Sequence, residues 1–293
     1  MSLTSTAALV SAAAAEHTAV LAFNVIGIEH AVGIAAGAEY AGVPVLMQVS
    51  ENTVRFHGSL APLVSACAHI ARRSSIDIAV HLDHLQDADL IAEAISTAAG
   101  LGVTSLMVDA AHLPYRENVE RTRFHVRQAH DAGLWVEAEL GEVGGKNGAH
   151  TPGARTDPAE AEAFSTETEI DGLAVAVGSS HAMTTRDASL DIALIGELAA
   201  RVDVPLVLHG SSGVPDDQLG LAVGAGIRKI NVGTALNIAY TGAVRRVLAV
   251  QTDTVDPRPQ LAAGRDAVAA AVGDLCGFLQ RAATAAAVRT DPR

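Results

Sequence analysis

The chain has 293 residues, of which 49% are hydrophobic, so it is long and apolar enough to bury the core of one large α/β domain. A net charge of −13 at pH 7 argues against a surface that binds nucleic acid or an anionic membrane. The two cysteines form no CxxC motif, the opening segment lacks a basic n-region, and its apolar runs are too short to span a bilayer, so we expect buried thiols and a cytoplasmic location.

Short apolar, β-branched runs alternate along the chain with longer, alanine-rich segments of helical pattern. The runs predict strands near 20–25, 44–49, 76–82, 103–109, 134–140, 172–178, 204–209 and 227–232. The intervening segments predict helices near 28–41, 59–73, 87–100, 116–132, 157–168, 188–201, 215–224 and 235–250. Continuous apolar strands are typical of a sheet covered on both faces, and the alternation indicates parallel βαβ units.

Eight βα units in a chain of this length predict a (β/α)₈ TIM barrel, an α/β fold that occupies residues 1–293 as a single domain. An extra helix precedes the first strand, and helices near 262–287 follow the last. A doubly wound open sheet is the alternative, but it favours a Gly-rich turn after the first strand, which the segment 24–27 does not provide. The longest irregular segment, 141–156, is interpreted either as a lid or as a surface excursion.

Three histidines stand at or just past the ends of predicted strands: His84 after the third, His181 after the sixth and His209 at the end of the seventh. These ends face one pocket in a barrel, so the three imidazoles are predicted to share one catalytic Zn²⁺ ion and to leave a position open for substrate. Asp83 is placed to move a proton to or from a reacting hydroxyl. The alternative interpretation is that Asp83 caps the amino end of the helix that starts near Asp87.

The other histidines are weaker candidates. His81 shares the strand parity of Asp83 and is an alternative ligand that points into the barrel. His112 follows a strand and is a weaker candidate for the pocket lining, and His150 lies in the long irregular segment. The remaining six fall in helical or connecting segments, where a structural role is the better interpretation.

Two Gly/Ser-containing turns are candidates for a phosphate site. The segment 209–213 follows the seventh predicted strand, and the segment 231–234 follows the eighth and opens a helix. The loops after these two strands often bind phosphate in barrels, through backbone N–H groups and a helix amino end. Such turns are also common as plain structural connections, so they indicate a phosphate site mainly through their position in the fold.

These residues resemble the class II, metal-dependent ketose-bisphosphate aldolases, especially the tagatose- and fructose-bisphosphate branch. The resemblance covers nearly the whole chain. Its landmarks are Ala22–Asn24, His81–His84, Met107–Asp109 with His112, Glu117–Val119, Val136–Gly141, Gly144–Gly145, Thr156–Pro158, Leu173–Gly178 before His181, Leu206–Gly210 and Lys229–Val232.

The resemblance implies zinc-dependent aldol cleavage and condensation through an enediolate, on a ketose phosphate or bisphosphate such as fructose or tagatose 1,6-bisphosphate. It assigns the metal to His84, His181 and His209, proton exchange with the reacting hydroxyl to Asp83, and contact with the enediolate to Asn231. It assigns the remaining substrate and phosphate contacts to Asn24, Ser50, Gly210, Ser212, Gly233 and Thr234. It also implies a homo-oligomer, either a dimer or a tetramer.

The sequence departs from the family at three places. Acidic residues usually follow the Gly-Gly of the long loop, but Lys146, Asn147 and Gly148 stand here, and Glu142 or His150 is a possible substitute. Ala182 follows the second metal histidine, where the family often has Gly. Ser211 follows the His-Gly pair, which is a mild change.

Three other functions stay open as alternatives. The loop departure favours a repurposed or non-catalytic paralogue that binds a sugar phosphate or another ketone. A metal-dependent hydrolase is weaker, because the first strand ends in Asn24 rather than in a His-x-His pair. A Schiff-base aldolase has only two lysines available, Lys146 and Lys229, and Lys229 lies below Asn231, away from the mouth of the barrel.

Overall fold

The computed structural model describes residues 3–141, 155–181 and 183–290 of the chain. Eight parallel strands pair in sequence order, and the eighth pairs with the first, so the sheet closes into a barrel. The strands are β1 (Val20–Asn24), β2 (Val45–Ser50), β3 (Ile78–Leu85), β4 (Ser105–Val108), β5 (Trp135–Leu140), β6 (Gly172–Val175), β7 (Leu206–Leu208) and β8 (Ile227–Val232). The predicted (β/α)₈ barrel is confirmed, and the open-sheet alternative is wrong.

The helices form the outer layer of the barrel. They are α1 (Thr6–Ala15), α2 (Ile28–Ala41), α3 (Glu51–His57), α4 (Ala61–Arg73), α5 (Ala88–Leu101), α6 (Tyr115–Asp131), α7 (Pro158–Thr168), α8 (Ile192–Arg201), α9 (Asp216–Ala225), α10 (Thr234–Val250) and α11 (Arg258–Thr290). A short 3₁₀ turn spans Ser211–Gly213. The extra amino-terminal helix and the carboxy-terminal helix were both predicted, whereas α3 was not.

Helix α1 covers the amino-terminal end of the barrel. Its Leu9 and Val10 pack with Leu46 and Trp135 in an apolar cluster at the bottom of the barrel interior. A hydrogen bond of 2.6 Å between the hydroxyls of Thr6 and Ser105 ties the helix to the start of β4. Apolar side chains therefore close the bottom of the barrel, which leaves the carboxyl ends of the strands as the open face.

The barrel interior becomes polar toward that open face. Above the apolar bottom, the strands bury His81, Glu137 and Lys229, each with a side chain that has no solvent exposure. Glu139 and Asn231 follow two residues later on β5 and β8, and they are also buried. Because side chains alternate between the two faces of a strand, these positions share the inward face and form a continuous polar column below the pocket.

Two sequence expectations concern the rest of the chain. Cys67 and Cys276 are buried free thiols, and burial raises the pKa of each to about 12, as expected for unreactive structural cysteines. In the described ranges, none of the helices combines the length and the apolar character needed to cross a bilayer.

Candidate active site

A cavity of about 510 Å³ opens at the carboxyl ends of the strands. Ten of the eleven residues predicted for the site line it, namely Asn24, Ser50, Asp83, His84, His181, Gly210, Ser212, Asn231, Gly233 and Thr234. The eleventh, His209, is fully buried, and its ring centroid lies 4.7 Å from that of His84. The structure therefore brings together residues from five strands or strand ends and from the loop after β6.

Asp83 and His84 are consecutive on β3, yet both side chains line the same pocket. Regular strand geometry would send them to opposite faces of the sheet. His84 instead has φ of 52°, and the pairing of β3 with β4 shifts register between Leu82 and Leu85. A left-handed backbone conformation is costly for a residue with a Cβ atom, and such strain is commonly found at functional sites. This irregularity gives the pocket a carboxylate and an imidazole from adjacent positions.

Four side chains form a cluster suited to a metal ion. His84, His181, His209 and Glu139 each offer one nitrogen or oxygen, and these four atoms all lie within 4.8 Å of one another. Three imidazoles and one carboxylate are donors that Zn²⁺ accepts in proteins, so the residues fit the predicted ion. Sequence reasoning missed Glu139 as a member of this cluster. Its inward parity near the end of β5, shared with Glu137, was the signal that could have found it.

Two of the clustered histidines are held by acidic partners through the other ring nitrogen. Nδ1 of His84 lies 2.8 Å from the Asp109 carboxylate, and Nε2 of His209 lies 2.8 Å from the Glu137 carboxylate. An ionised carboxylate can only accept hydrogen bonds, so the ring nitrogen beside it carries the proton. In the neutral rings this leaves Nε2 of His84 and Nδ1 of His209, which face the cluster, without a proton. Nδ1 of His209 lies 3.2 Å from Oε2 of Glu139.

A buried cation balances the acidic residues beneath the cluster. Nζ of Lys229 lies 2.8 Å from Oε2 of Glu137. Burial disfavours the charged form of Glu137, but Lys229 and the hydrogen bond with His209 outweigh it and lower the pKa to about 2. Burial likewise disfavours the imidazolium of His209, but Glu137 and Glu139 raise its pKa to about 9 in the protein without metal. The buried acidic residues are thus balanced by Lys229 and by the His209 imidazolium, whose proton has to leave when a cation binds.

The Asp83 carboxylate is positioned from two sides. The side-chain amide of Asn24 donates to Oδ2 at 2.9 Å, and that of Asn231 donates to Oδ1 at 3.4 Å. Gln48 in turn donates to Asn24 at 2.9 Å. These contacts restrain the carboxylate at the edge of the pocket, where a general base would have to stand. The alternative role for Asp83, a helix cap, is wrong, because Asp87 accepts the hydrogen bonds at the start of α5.

The two Gly/Ser turns also line the pocket. Gly210 has φ of 66°, and a Cβ atom there would lie 2.5 Å from the carbonyl oxygen of Ser180. Gly233 precedes α10, and a Cβ atom there would lie 2.9 Å from Oδ1 of Asn24. The Ser212 hydroxyl accepts from the backbone N–H of Ala235 in the first turn of α10. Both glycines thus permit close approach of backbone at positions where an anion could bind.

Other predicted candidates lie elsewhere. His81 is buried below the cluster, where its Nδ1 lies 2.8 Å from the Ser105 hydroxyl, and burial lowers its pKa to about 3. His112 is exposed and does not line the pocket, so this weaker candidate was wrong. Eight residues that the sequence analysis named in the long loop and after His181 lie outside the described residues. They are Glu142, Gly144, Gly145, Lys146, Asn147, Gly148, His150 and Ala182.

The chain is similar to known proteins over nearly its whole length. A family model described as class II fructose-bisphosphate aldolase matches residues 4–284. A fructose-bisphosphate aldolase of Geobacillus stearothermophilus is 37% identical over 276 residues, which cover 93% of this chain and 95% of the relative.

Two solved structures share the architecture. The crystal structure of the YdjI aldolase from Escherichia coli K12 matches with a TM-score of 0.81 and 30% identity, over 96% of this chain and 99% of that one. A fructose-bisphosphate aldolase from Campylobacter jejuni also has a TM-score of 0.81, over 95% of this chain and 96% of that one. At 20% identity, this second likeness supports the fold alone.

Proposed function

The chain belongs to the class II fructose-bisphosphate aldolase family, and from that membership we propose that it is a zinc-dependent aldolase acting on a ketose phosphate or bisphosphate. Members of this family are carbon–carbon lyases of sugar phosphates, and the family is generally metal-dependent. Beyond the family, we propose zinc as the metal, fructose or tagatose 1,6-bisphosphate as the substrate, and a role for each of the individual site residues.

The observation that carries the proposal is the cluster of His84, His181, His209 and Glu139 beside Asp83. Cleavage of the bond next to a ketone leaves negative charge on an enediolate. Bound zinc would supply Lewis-acid stabilisation of that charge. Oδ1 of Asp83 lies 3.8 Å from Nε2 of His84, so the proposed base stands at the edge of the cluster rather than within it.

Asp83 is the proposed acid/base for the hydroxyl at the reacting bond. In cleavage it takes the hydroxyl proton as the carbon–carbon bond breaks, and in condensation it returns the proton to the new hydroxyl. Its two amide donors hold the carboxylate where it lines the pocket. Asn231 is proposed to donate a hydrogen bond from its amide to an oxygen of the enediolate.

The phosphate end of the substrate is proposed to lie against Gly210, Ser212, Gly233 and Thr234. The amino end of α10 starts at Thr234, and backbone N–H groups there favour an anion despite the acidic character of the chain. Asn24 and Ser50, on β1 and β2, then border the rest of the carbon chain. The Ser50 hydroxyl also accepts from the Thr53 amide as the cap of α3, so it serves the pocket wall and the helix together.

A retro-aldol assay on a panel of ketoses tests the proposal. Zinc-loaded protein is incubated with fructose and tagatose 1,6-bisphosphates, with the matching 1-phosphates and with the unphosphorylated ketoses. The aldehyde product is measured in each case, together with dihydroxyacetone phosphate from the phosphorylated ketoses or dihydroxyacetone from the free sugars. We expect cleavage of at least one phosphorylated ketose and much weaker cleavage of the free sugars. No cleavage across the panel would favour the alternative, a repurposed paralogue that binds a sugar phosphate, as the Lys146–Asn147 departure suggests. Phosphate release without an aldol product would favour the hydrolase.

We also infer that residues 1–293 act as one barrel domain, with a small-molecule substrate and neither a nucleic-acid nor a membrane partner. A homo-oligomer and a cytoplasmic location stay predictions from the resemblance and the composition. Light scattering of the purified protein measures the first of these directly.

A further inference from the structure

Lys229 lies within the barrel directly beneath the pocket. Its side chain has no solvent exposure, and it is one of the largest fully buried side chains in the described part of the chain. Its Nζ lies 2.8 Å from Oε2 of Glu137 and 2.6 Å from Oδ1 of Asn231. A lysine is rarely buried unless it is paired, so these two contacts account for its presence there.

The contact with Asn231 has a chemical consequence. The two ends of an asparagine amide differ, since Oδ1 accepts hydrogen bonds and Nδ2 donates them. The ammonium of Lys229 can only donate, so Oδ1 must face it. The donor end, Nδ2, is thereby turned toward Asp83 and the pocket, at 3.4 Å from Oδ1 of Asp83. Without Lys229, only the longer contact of Nδ2 with Asp83 would select the orientation of the amide.

Glu137 holds the lysine in place from the other side. Its carboxylate joins Nζ of Lys229 through Oε2 and Nε2 of His209 through Oε1. The polar column therefore links the metal cluster to Asn231 through one buried ion pair. Each oxygen of the Glu137 carboxylate thus contacts one buried neighbour, which restrains the position of the lysine ammonium.

We propose that Lys229 is a positioning residue for the aldol reaction, which orients the Asn231 amide so that it presents a hydrogen-bond donor to the enediolate. The proposal rests on the proposed function of Asn231 and adds a residue that does not touch the substrate. It also gives the buried lysine a role other than Schiff-base chemistry, since its amine is occupied by Glu137 and Asn231 below the pocket.

A double-mutant cycle on kcat tests this inference. Lys229→Met should lower kcat by about 10- to 100-fold, as is typical when a partner that orients an active-site group is lost. Asn231→Ala should lower kcat at least as much. The double variant should be about as slow as Asn231→Ala alone, because an amide that is absent needs no orientation. Multiplied losses in the double variant would overturn the inference.

A matched control pairs Lys229→Met with Ser50→Ala, since Ser50 lines the pocket without contacting Lys229. In the Lys229→Met/Ser50→Ala double variant, the fold-losses in kcat of the two single variants should multiply. If Lys229→Met does not fold, the cycle is measured with Glu137→Gln as the reference protein, so that Lys229→Met/Glu137→Gln carries no unpaired buried charge and the effect of Glu137 on His209 cancels, with circular dichroism as the folding check.

One further variant keeps Lys229 in place. Asn231→Asp retains the shape and an acceptor for Lys229, but it presents an oxygen instead of a donor to the pocket, so its kcat should fall as far as that of Asn231→Ala. Near wild-type turnover of Asn231→Asp would overturn the inference. Wild-type protein without aldol turnover would overturn the proposed function and this inference together, whereas turnover with independent losses in the cycle would overturn the inference alone.

Discussion

The carboxylate of Asp109 lies 2.8 Å from Nδ1 of His84, and both side chains are buried. Gln86 donates to the same carboxylate oxygen at 3.2 Å. Asp109 stands at the end of β4 and His84 on β3, so the pair joins neighbouring strands and sets both the ring orientation and the tautomer of the histidine.

Loss of this partner should weaken metal binding without removing a ligand. Asp109→Ala is expected to lower zinc affinity by about 10- to 100-fold in competition with a chromophoric chelator. Asp171→Ala is the matched control, because it breaks a His–Asp hydrogen bond of 2.9 Å with His130 that lies apart from the cluster. An equal loss of zinc affinity in both variants would contradict the assignment of Asp109.

Substitutions at two nearby aspartates separate catalysis from helix capping. Asp83→Ala should reduce kcat by about 10²- to 10⁴-fold, because it removes the proposed acid/base, while zinc stays bound to the histidines. Asp87→Ala removes the N-cap of α5 and should cost about 1 kcal/mol of stability with little change in kcat. Kinetics and thermal melts of the two variants check both expectations, and full turnover by Asp83→Ala would remove it from the mechanism.

Glu139 should behave as a metal ligand. Glu139→Ala is expected to weaken zinc binding more than the about 10- to 100-fold lost with a supporting residue such as Asp109. Glu162→Ala serves as the control, because this glutamate is half exposed on α7. Zinc affinity is measured by chelator competition, and unchanged affinity of Glu139→Ala would leave the three histidines as the whole protein contribution.

Metal binding should release a proton from His209. Its pKa is raised to about 9 in the protein without metal, so below pH 9 the imidazole carries a proton that must leave before Nδ1 can bind a cation. Apparent zinc affinity should therefore rise with pH, by up to about tenfold per unit, and level off as the pH passes 9. Calorimetric titration of zinc at pH 7.5 in two buffers of different ionisation enthalpy measures the proton count. A count of zero would contradict the raised pKa.

The fold was largely predictable from the sequence, because each strand is a continuous apolar run between helical segments. The ends of the individual helices were harder to predict. Helix α3 was missed because it is short, and it depends on capping by the Ser50 hydroxyl rather than on a long apolar face. Helix α8 begins at Ile192 rather than near 188, because the Asp191 side chain accepts from the Leu194 amide and starts the helix there.

The site was predictable where strand ends alone determine position. The three histidines and Asp83 follow from the convergence of the carboxyl ends in a barrel. Their partners depend on side-chain direction and register, which the sequence does not display. Glu137 and His209 form a hydrogen bond although they lie 72 residues apart in the sequence. The left-handed backbone of His84 brings Asp83 and His84 to one pocket, and no glycine stands there to indicate that conformation from the sequence.

The central claim is that one metal ion, held by His84, His181, His209 and Glu139, is required for aldol cleavage. The most direct measurement is metal content by mass spectrometry together with retro-aldol turnover, before and after chelation and after re-addition of zinc. The account predicts one zinc per chain, loss of turnover with the metal, and its return when zinc is restored, with no recovery in His84→Ala. Undiminished turnover of the metal-free protein would contradict it.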